Sequence, residues 1–525
     1  MTTAHRDDDP EAGRDAYAAA RLTQRRSVRL ALALGQGLSH GPRAARELLG
    51  SGAAVLDLPG PQVPRRPRYP HLRVAHLSAD PVTRGVIPGA RLTPSTWRTV
   101  LRRDRPELLV LDTVTGWGAA DLRALVADTS AAVYCPPAML EPVLAAGVAR
   151  DRLGVLEPDD EVLWFDSQAH SPVGLPPAPD GRVLPVDAAP PADRDADRGT
   201  VRLVDPATAD AGLTERIVGC LARGTPVVVP DGGPLGDRLR RLLGPVADEV
   251  VVPPSAADDR ARQLCEPERW ERTSVRVRRH LHRHHAREAH VDLILERCGL
   301  DTAPPPRVSV LLSTRRSSHL AHALGQIGRQ DHPQVEVVLV LHGIPRPDDR
   351  HLEAGRLPLT AIEVPADRPL GAALDAGLDR ASGSLIAKMD DDDHYGSGHL
   401  SDLAVALRYS GADVVGRWAN AVYLEQQDIT VHGGLDRQER WATHLPGATM
   451  LVRAEVLRRL RWRHVPNAVD TELVRAVTSD GGSVYSTHRF GFIRSRHEDH
   501  TFARSNRSFR HGRVRQGLDT SALEV

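Results

Sequence analysis

Four consecutive aspartates, Asp390-Asp391-Asp392-Asp393, are the strongest chemical feature of the sequence. Like charges repel, so such a run is costly inside a fold and ordinary on a solvated tail. Here it follows the apolar segment Leu385-Ile386-Ala387-Lys388-Met389 and precedes Tyr395 and a helical pattern. Carboxylates at the end of a strand have a simple use: they bind a divalent cation, and the cation neutralises phosphate oxygens. Mn2+ or Mg2+ would be held by one or two of these groups, with phosphates of a substrate completing the shell. A solvated acidic loop is the plain alternative, and the flanking apolar pattern favours the metal and phosphate reading.

The elements around the run form a series. Residues 307–313 read as a strand, 319–329 as a helix, 335–341 and 361–364 as strands, 370–381 as a helix, and 384–389 as a further strand. Apolar strands alternating with helices imply a parallel sheet covered on both faces. The aspartates then stand at the carboxyl end of a strand, where open α/β sheets bind ligands.

Residues 307–501 resemble a family 2 glycosyltransferase with the GT-A nucleotide-sugar fold. Val308-Ser309-Val310-Leu311-Leu312-Ser313-Thr314 resembles the family's first strand and nucleotide-contacting turn, and Gln330 with the 335–341 strand its second unit. Leu370-Gly371-Ala372-Ala373-Leu374-Asp375-Ala376-Gly377 resembles a helix in which the family usually has Asn at the place of Asp375. The segment from Ala381 to Asp393 resembles the strand leading into the D-x-D motif, and Gly447–Arg453 an acceptor-side strand. Asp470 fits the slot of the family's general base, with Val469 in place of the preceding Glu and Glu472 as the alternative base. Arg496-His497-Glu498-Asp499-His500-Thr501-Phe502 resembles an ending in which a histidine completes the metal shell, with His500 the first choice and His497 the second.

The resemblance implies a metal-dependent inverting transferase that moves a sugar from a nucleotide-diphosphate sugar to a hydroxyl acceptor in surface-glycan synthesis. Ser313, Thr314, Arg315, His342, Gly371, Asp390 and Asp391 are the implied donor-binding residues, with Asp390 on the ribose or the metal. Asp392, Asp393 and His500 are the implied metal ligands, and Asp470 the base. Where the family usually places an aspartate to read the base, this chain has Leu341-His342-Gly343, which leaves the nucleotide open. A catalytically inactive sugar-nucleotide- or glycan-binding scaffold is the alternative, and a nucleotidyltransferase shares the same carboxylate–metal logic.

Upstream, strand-like segments near residues 73–77, 107–112, 131–134, 201–204, 226–229 and 249–252 indicate another α/β region. Leu92-Thr93-Pro94-Ser95-Thr96-Trp97, Pro106–Asp112 and Gly116-Trp117-Gly118 resemble glycosyltransferases related to spore-coat maturation proteins. Cys220–Val229 resembles a GT-B donor segment, with Gly219 where that pattern has a glutamate and Glu215 one turn earlier. A long helical stretch is expected over 267–298, ending before Pro304-Pro305-Pro306. Its Arg279–His290 portion places His280 and His284 at i, i+4, but the interleaved arginines read as a cationic face rather than a zinc site. The expected organisation is a helical or tail segment over 1–65, a Rossmann-like GT-B-like domain over 66–300 and the GT-A domain over 301–525. Residues 27–38 read as a short amphipathic surface helix.

Composition bounds these readings. The chain has 525 residues, enough for several domains, and 68 basic against 68 acidic side chains. Zero net charge argues against a protein that coats nucleic acid. All but one of the basic residues are Arg, and Lys388 is the sole lysine. The four cysteines have no C-x-x-C spacing, which disfavours a cysteine zinc site and fits a reduced compartment. The N-terminus is acidic with no apolar segment directly after it, so no secretory signal is expected. The expected location is the cytoplasm, including the inner face of the membrane. The expected partners are a sugar nucleotide and a glycan, lipid-linked or protein acceptor.

Overall fold

The computed structural model describes residues 140–155, 200–204, 213–286, 304–348, 355–465, 468–497 and 512–525, with strands and shorter segments elsewhere in the chain. The fold is α/β. The chain divides into two compact units, residues 1–166 with 283–304, and residues 167–282 with 305–525.

In the first unit a five-stranded sheet runs His76–Ser78, Ala31–Gly35, Leu108–Leu111, Ala132–Cys135, Leu153–Val155. Every pairing in it is parallel. The helix expected over 27–38 is corrected here, because Ala31–Gly35 is a central strand of that sheet. The run Ala31-Leu32-Ala33-Leu34 is continuously apolar, and such a run suits a strand with neighbours on both edges as well as a helix stripe.

Among the described residues the second unit holds three sheets. A small parallel sheet runs Val251–Val252, Val227–Pro230, Val201–Leu203, Val183–Pro185. The helix Pro267–His284 lies beside it, with Trp270 in a cluster with Val201, Val228, Val252 and Leu264. The helix ends at His284, and helical residues resume at 289, 292–293 and 296–297, so the stretch expected over 267–298 is interrupted at 285–286, close to where the chain passes between units.

The main sheet has eight strands, in the order Leu359–Val364, Val335–His342, Val308–Thr314, Leu385–Met389, Leu451–Arg453, Val414–Gly416, Val484–Ser486, Arg440–Trp441. Its first four strands are parallel; the inner three are almost wholly buried, as expected of β-branched and Leu runs covered on both faces, while the edge strand Leu359–Val364 is only partly covered. The chain winds outward from Val308–Thr314 to Leu359–Val364, then returns to lay Leu385–Met389 on the other side of the starting strand. The strand order therefore reverses between Val308–Thr314 and Leu385–Met389. A crevice at the carboxyl ends of two such strands is where doubly wound sheets bind ligands.

A third, five-stranded sheet runs His394–Tyr395, Phe492–Arg496, Asn420–Leu424, Ile429–Gly433, Arg513–Gln516. Its first pairing joins the segment just after the aspartates to Phe492–Arg496. Among the described residues no helix is long and apolar enough to cross a membrane.

Candidate active site

The acidic run turns at the carboxyl end of Leu385–Met389, at the strand-order reversal. The four carboxylates have different partners. Asp391 is buried, accepts from Thr314 Oγ1 across the reversal, and is gripped by the Arg316 guanidinium. Asp393 is also buried, and its Oδ1 accepts the Ser495 N–H at 2.9 Å. Burial, then the neighbouring Asp392 and Asp390 carboxylates, push the Asp393 carboxyl well above its ordinary value of 3.8. Asp390 is the most open of the four aspartates, with 40% of its side chain exposed. Its N–H donates to the Tyr395 hydroxyl at 2.8 Å, and that hydroxyl donates to the Ala448 carbonyl.

Pairing of His394–Tyr395 with Phe492–Arg496 returns the end of the later strand to the acidic turn. His497, the next residue, has Nε2 2.8 Å from Asp392 Oδ2. Ligands at about 2.1 Å around an octahedral cation stand roughly 3 Å apart, so this pair has the spacing of adjacent ligands. A hard carboxylate suits Mg2+ or Mn2+, whereas an imidazole is more usual on zinc, iron or nickel. Among the described residues no group of three such donors converges. Magnesium-type sites often take only one or two protein groups and complete the shell with water and substrate phosphate. Arg316 shares this corner, with Nη2 2.8 Å from Asp392 Oδ2 and Nη1 3.2 Å from His497 Nε2. One imidazole nitrogen cannot both accept from Arg316 and donate to Asp392, so the tautomer selects one contact. His500 lies outside the described residues.

The second functional group comes from the helix Val469–Ser479. Its apolar face, Val469, Leu473, Val474 and Val477, packs in the core with Leu311, Val338, Ile386 and Val452, which sets Asp470 in the first turn. Asp470 Oδ1 is sealed from solvent and accepts no hydrogen bond, while 27% of the side chain stays exposed. Lys388 Nζ stands 3.8 Å from that oxygen and 2.6 Å from Asp390 Oδ1. Burial raises the Asp470 carboxyl above 3.8, and the Lys388 charge opposes the rise. Gly447 forms the opposite wall, since a Cβ there would fall 1.9–2.0 Å from the Asp470 carboxyl atoms. Glu472, by contrast, is engaged by Arg475 at 2.6 Å and faces Arg463 at 3.7 Å.

The remaining expected donor residues fall on the other side of the crevice. Ser313 and Thr314 end the starting strand, and Arg315 is exposed beyond it. Arg315 Nε donates to His342 Nδ1 at 3.3 Å, and its Nη2 donates to the Ala366 carbonyl. His342 is buried, and its Nε2–H donates to the Arg368 carbonyl at 2.8 Å. Burial lowers the His342 pKa, the bond to the Arg368 carbonyl opposes this, and the Arg315 charge adds to the lowering. The exposed member of the pair is therefore Arg315. Gly371 is packed against the 461–465 segment, where a Cβ would fall 1.9 Å from the Arg463 carbonyl oxygen. Asp375 holds the same segment, accepting from Trp462 N–H and His464 Nε2, each at 3.0 Å.

Sequence reasoning passed over Lys388, Gly447, Tyr395 and Arg316 as site residues. The single lysine was visible in the composition. Gly447 and Tyr395 act through contacts between segments about 20 and 50 residues apart in sequence, which no local pattern marks.

No family model matches the chain, and no curated protein matches it. Among solved structures it is similar to the mannosyltransferase PcManGT from Pyrobaculum calidifontis in complex with GDP-Man and Mn2+. That match has 20% identity over 37% of this chain and 58% of the other, with a TM-score of 0.32. It is also similar to S. aureus TarS 1-349 in complex with UDP-GlcNAc, at 18% identity over 39% of this chain and 63% of the other, with a TM-score of 0.32. The chain spans about three fifths of the length of these structures. Overlap of that extent and identity says nothing about activity or ligand for this chain.

Proposed function

We propose that this chain is an inverting, metal-dependent glycosyltransferase of the family 2, GT-A type, with residues 301–525 as the transferase domain. One observation carries the reading: the aspartate turn, His497 and the under-bonded carboxylate of Asp470 meet at the strand-order reversal, joined through Lys388. The donor is a nucleotide-diphosphate sugar and the acceptor a hydroxyl, with surface-glycan synthesis as the setting. Asp392 and His497 would hold Mn2+ or Mg2+, with Asp393 supporting from behind. The cation, when bound, supplies positive charge to the departing diphosphate. Asp390 is open to take a ribose hydroxyl. Asp470 takes the acceptor proton at the part of its side chain that stays open, Oδ1 being sealed beside Lys388. Glu472 is less suited, being already neutralised by arginine. Attack by the acceptor oxygen on the anomeric carbon breaks the bond to the diphosphate in one displacement, so the anomeric configuration inverts.

The test is a thermal-shift panel of sugar nucleotides with and without Mn2+, on the wild type and Asp392→Ala. One donor is expected to stabilise the wild type only with the metal, and to lose that effect in the variant. No stabilisation by any donor at millimolar concentration contradicts the reading.

A further inference from the structure

Lys388 is the one lysine among 68 basic side chains. Burial alone does not explain the choice, because the same unit buries Arg278 and Arg417 as fully. What sets position 388 apart is its pair of neighbours. The ammonium is 2.6 Å from Asp390 Oδ1, on the turn, and 3.8 Å from Asp470 Oδ1, on the helix Val469–Ser479. A compact ammonium with three rotatable donors can shift its contact between two carboxylates, whereas a planar guanidinium is fixed to a fork. The Asp470 carboxylate has little other freedom, since Gly447 closes the far side and Oδ1 accepts nothing else.

We propose that Lys388 is a positioning residue that couples the two halves of the site, linking occupancy of Asp390 by the donor to the seating of the Asp470 carboxylate toward the acceptor. The inference rests on the transferase reading. When a donor hydroxyl engages Asp390, the ammonium can close the 3.8 Å gap to Asp470. Donor binding then readies the base, and with the donor site vacant the ammonium stays with Asp390. This favours transfer only after the donor is in place.

Two measurements test it. In protein grown with [ε-13C]lysine, a sole lysine gives one ε-methylene resonance. Adding the donor is expected to shift it in the wild type, and Asp470→Asn is expected to reduce that shift. For Lys388→Met, kcat is expected to fall by about 30-fold or more while the donor Kd stays within roughly threefold. The acid limb of its pH–kcat profile moves to higher pH, because the charge that favours ionised Asp470 is gone. Lys388→Arg should recover less than about a tenth of kcat, since the fork does not replace the point charge. A lysine resonance that neither the donor nor Asp470→Asn affects overturns the coupling. So does Lys388→Met with kcat within twofold and an unmoved acid limb, in protein that turns the donor over. Failure of the wild type to bind any donor removes the transferase reading, and the coupling with it. The lysine resonance does not depend on Lys388→Met folding.

Discussion

At the scale of single residues, the site is a problem of unevenly offset charge. The acidic turn and Asp470 carry the carboxylates, and Arg316 and Lys388 are cations that touch them. Asp470 is raised by burial, so kcat/KM should fall as pH drops through an acid limb lying above the ordinary carboxylate value of 3.8. Asp470→Asn should lower kcat by about 10²- to 10⁴-fold and abolish that limb, measured by donor consumption with acceptor present. Gly447→Ala places a methyl into the Asp470 carboxylate and should cost at least about 10²-fold in kcat while donor binding persists, as titration calorimetry would show. The aspartate run was legible in the sequence because it is a local charge anomaly after a strand. The closeness of His497 to the turn was not, because it depends on the pairing of His394–Tyr395 with Phe492–Arg496, about a hundred residues apart. His342 was weighed as a base-contacting group, but it is covered, and Arg315 is the side chain exposed at that place.

At the scale of elements, the helix Pro267–His284 ties the small parallel sheet to the rest of its unit. Toward the small sheet, Trp270 packs in its core, Ser274 donates to the Gly224 carbonyl, and His280 Nε2 meets the Leu242 carbonyl. Elsewhere, Arg278 pairs with Glu439, Arg279 with Asp402 at 2.7 Å, and Glu271 with Arg489 at 2.9 Å. The interleaved arginines and histidines thus serve two packing faces of one helix. Glu439 sits at φ 50°, a conformation a non-glycine residue keeps only when held, and Tyr409 and Tyr485 donate to its carboxylate at 2.9 and 2.7 Å. Removing one partner of a buried pair leaves the other uncompensated. Arg278→Ala should therefore destabilise this unit by about 3–5 kcal/mol, and urea unfolding monitored by Trp fluorescence would report it. A loss below about 1 kcal/mol would contradict that role. Strand positions were largely readable, since apolar runs bounded by Gly and Pro are local signals. The Ala31–Gly35 strand and the end of the long helix were not, because sheet neighbours and the path of the chain between units decide them.

At the scale of the molecule, buried histidines set an acid limit. Burial, reinforced by Arg417, holds His488 down to about 3, and burial drives His399 well below 6.5. These groups stay neutral in the fold but take a proton when unfolded once pH falls below about 6.5, so stability is lost from there downward toward the folded value. The slope is about 1.4 kcal/mol per pH unit for each such histidine. Melting temperature should therefore decline between pH 6.5 and 4.5, and His399→Phe should flatten part of the decline if it folds with native spectra. The most direct test of transferase chemistry is release of nucleoside diphosphate from the donor that stabilises the wild type, with Mn2+ present and the sugar product followed by NMR. Slow release with inversion at the anomeric carbon, lost in both Asp392→Ala and Asp470→Asn, is the expected result. Tight donor binding with no release, or release that both variants retain, would contradict a transferase built on these residues.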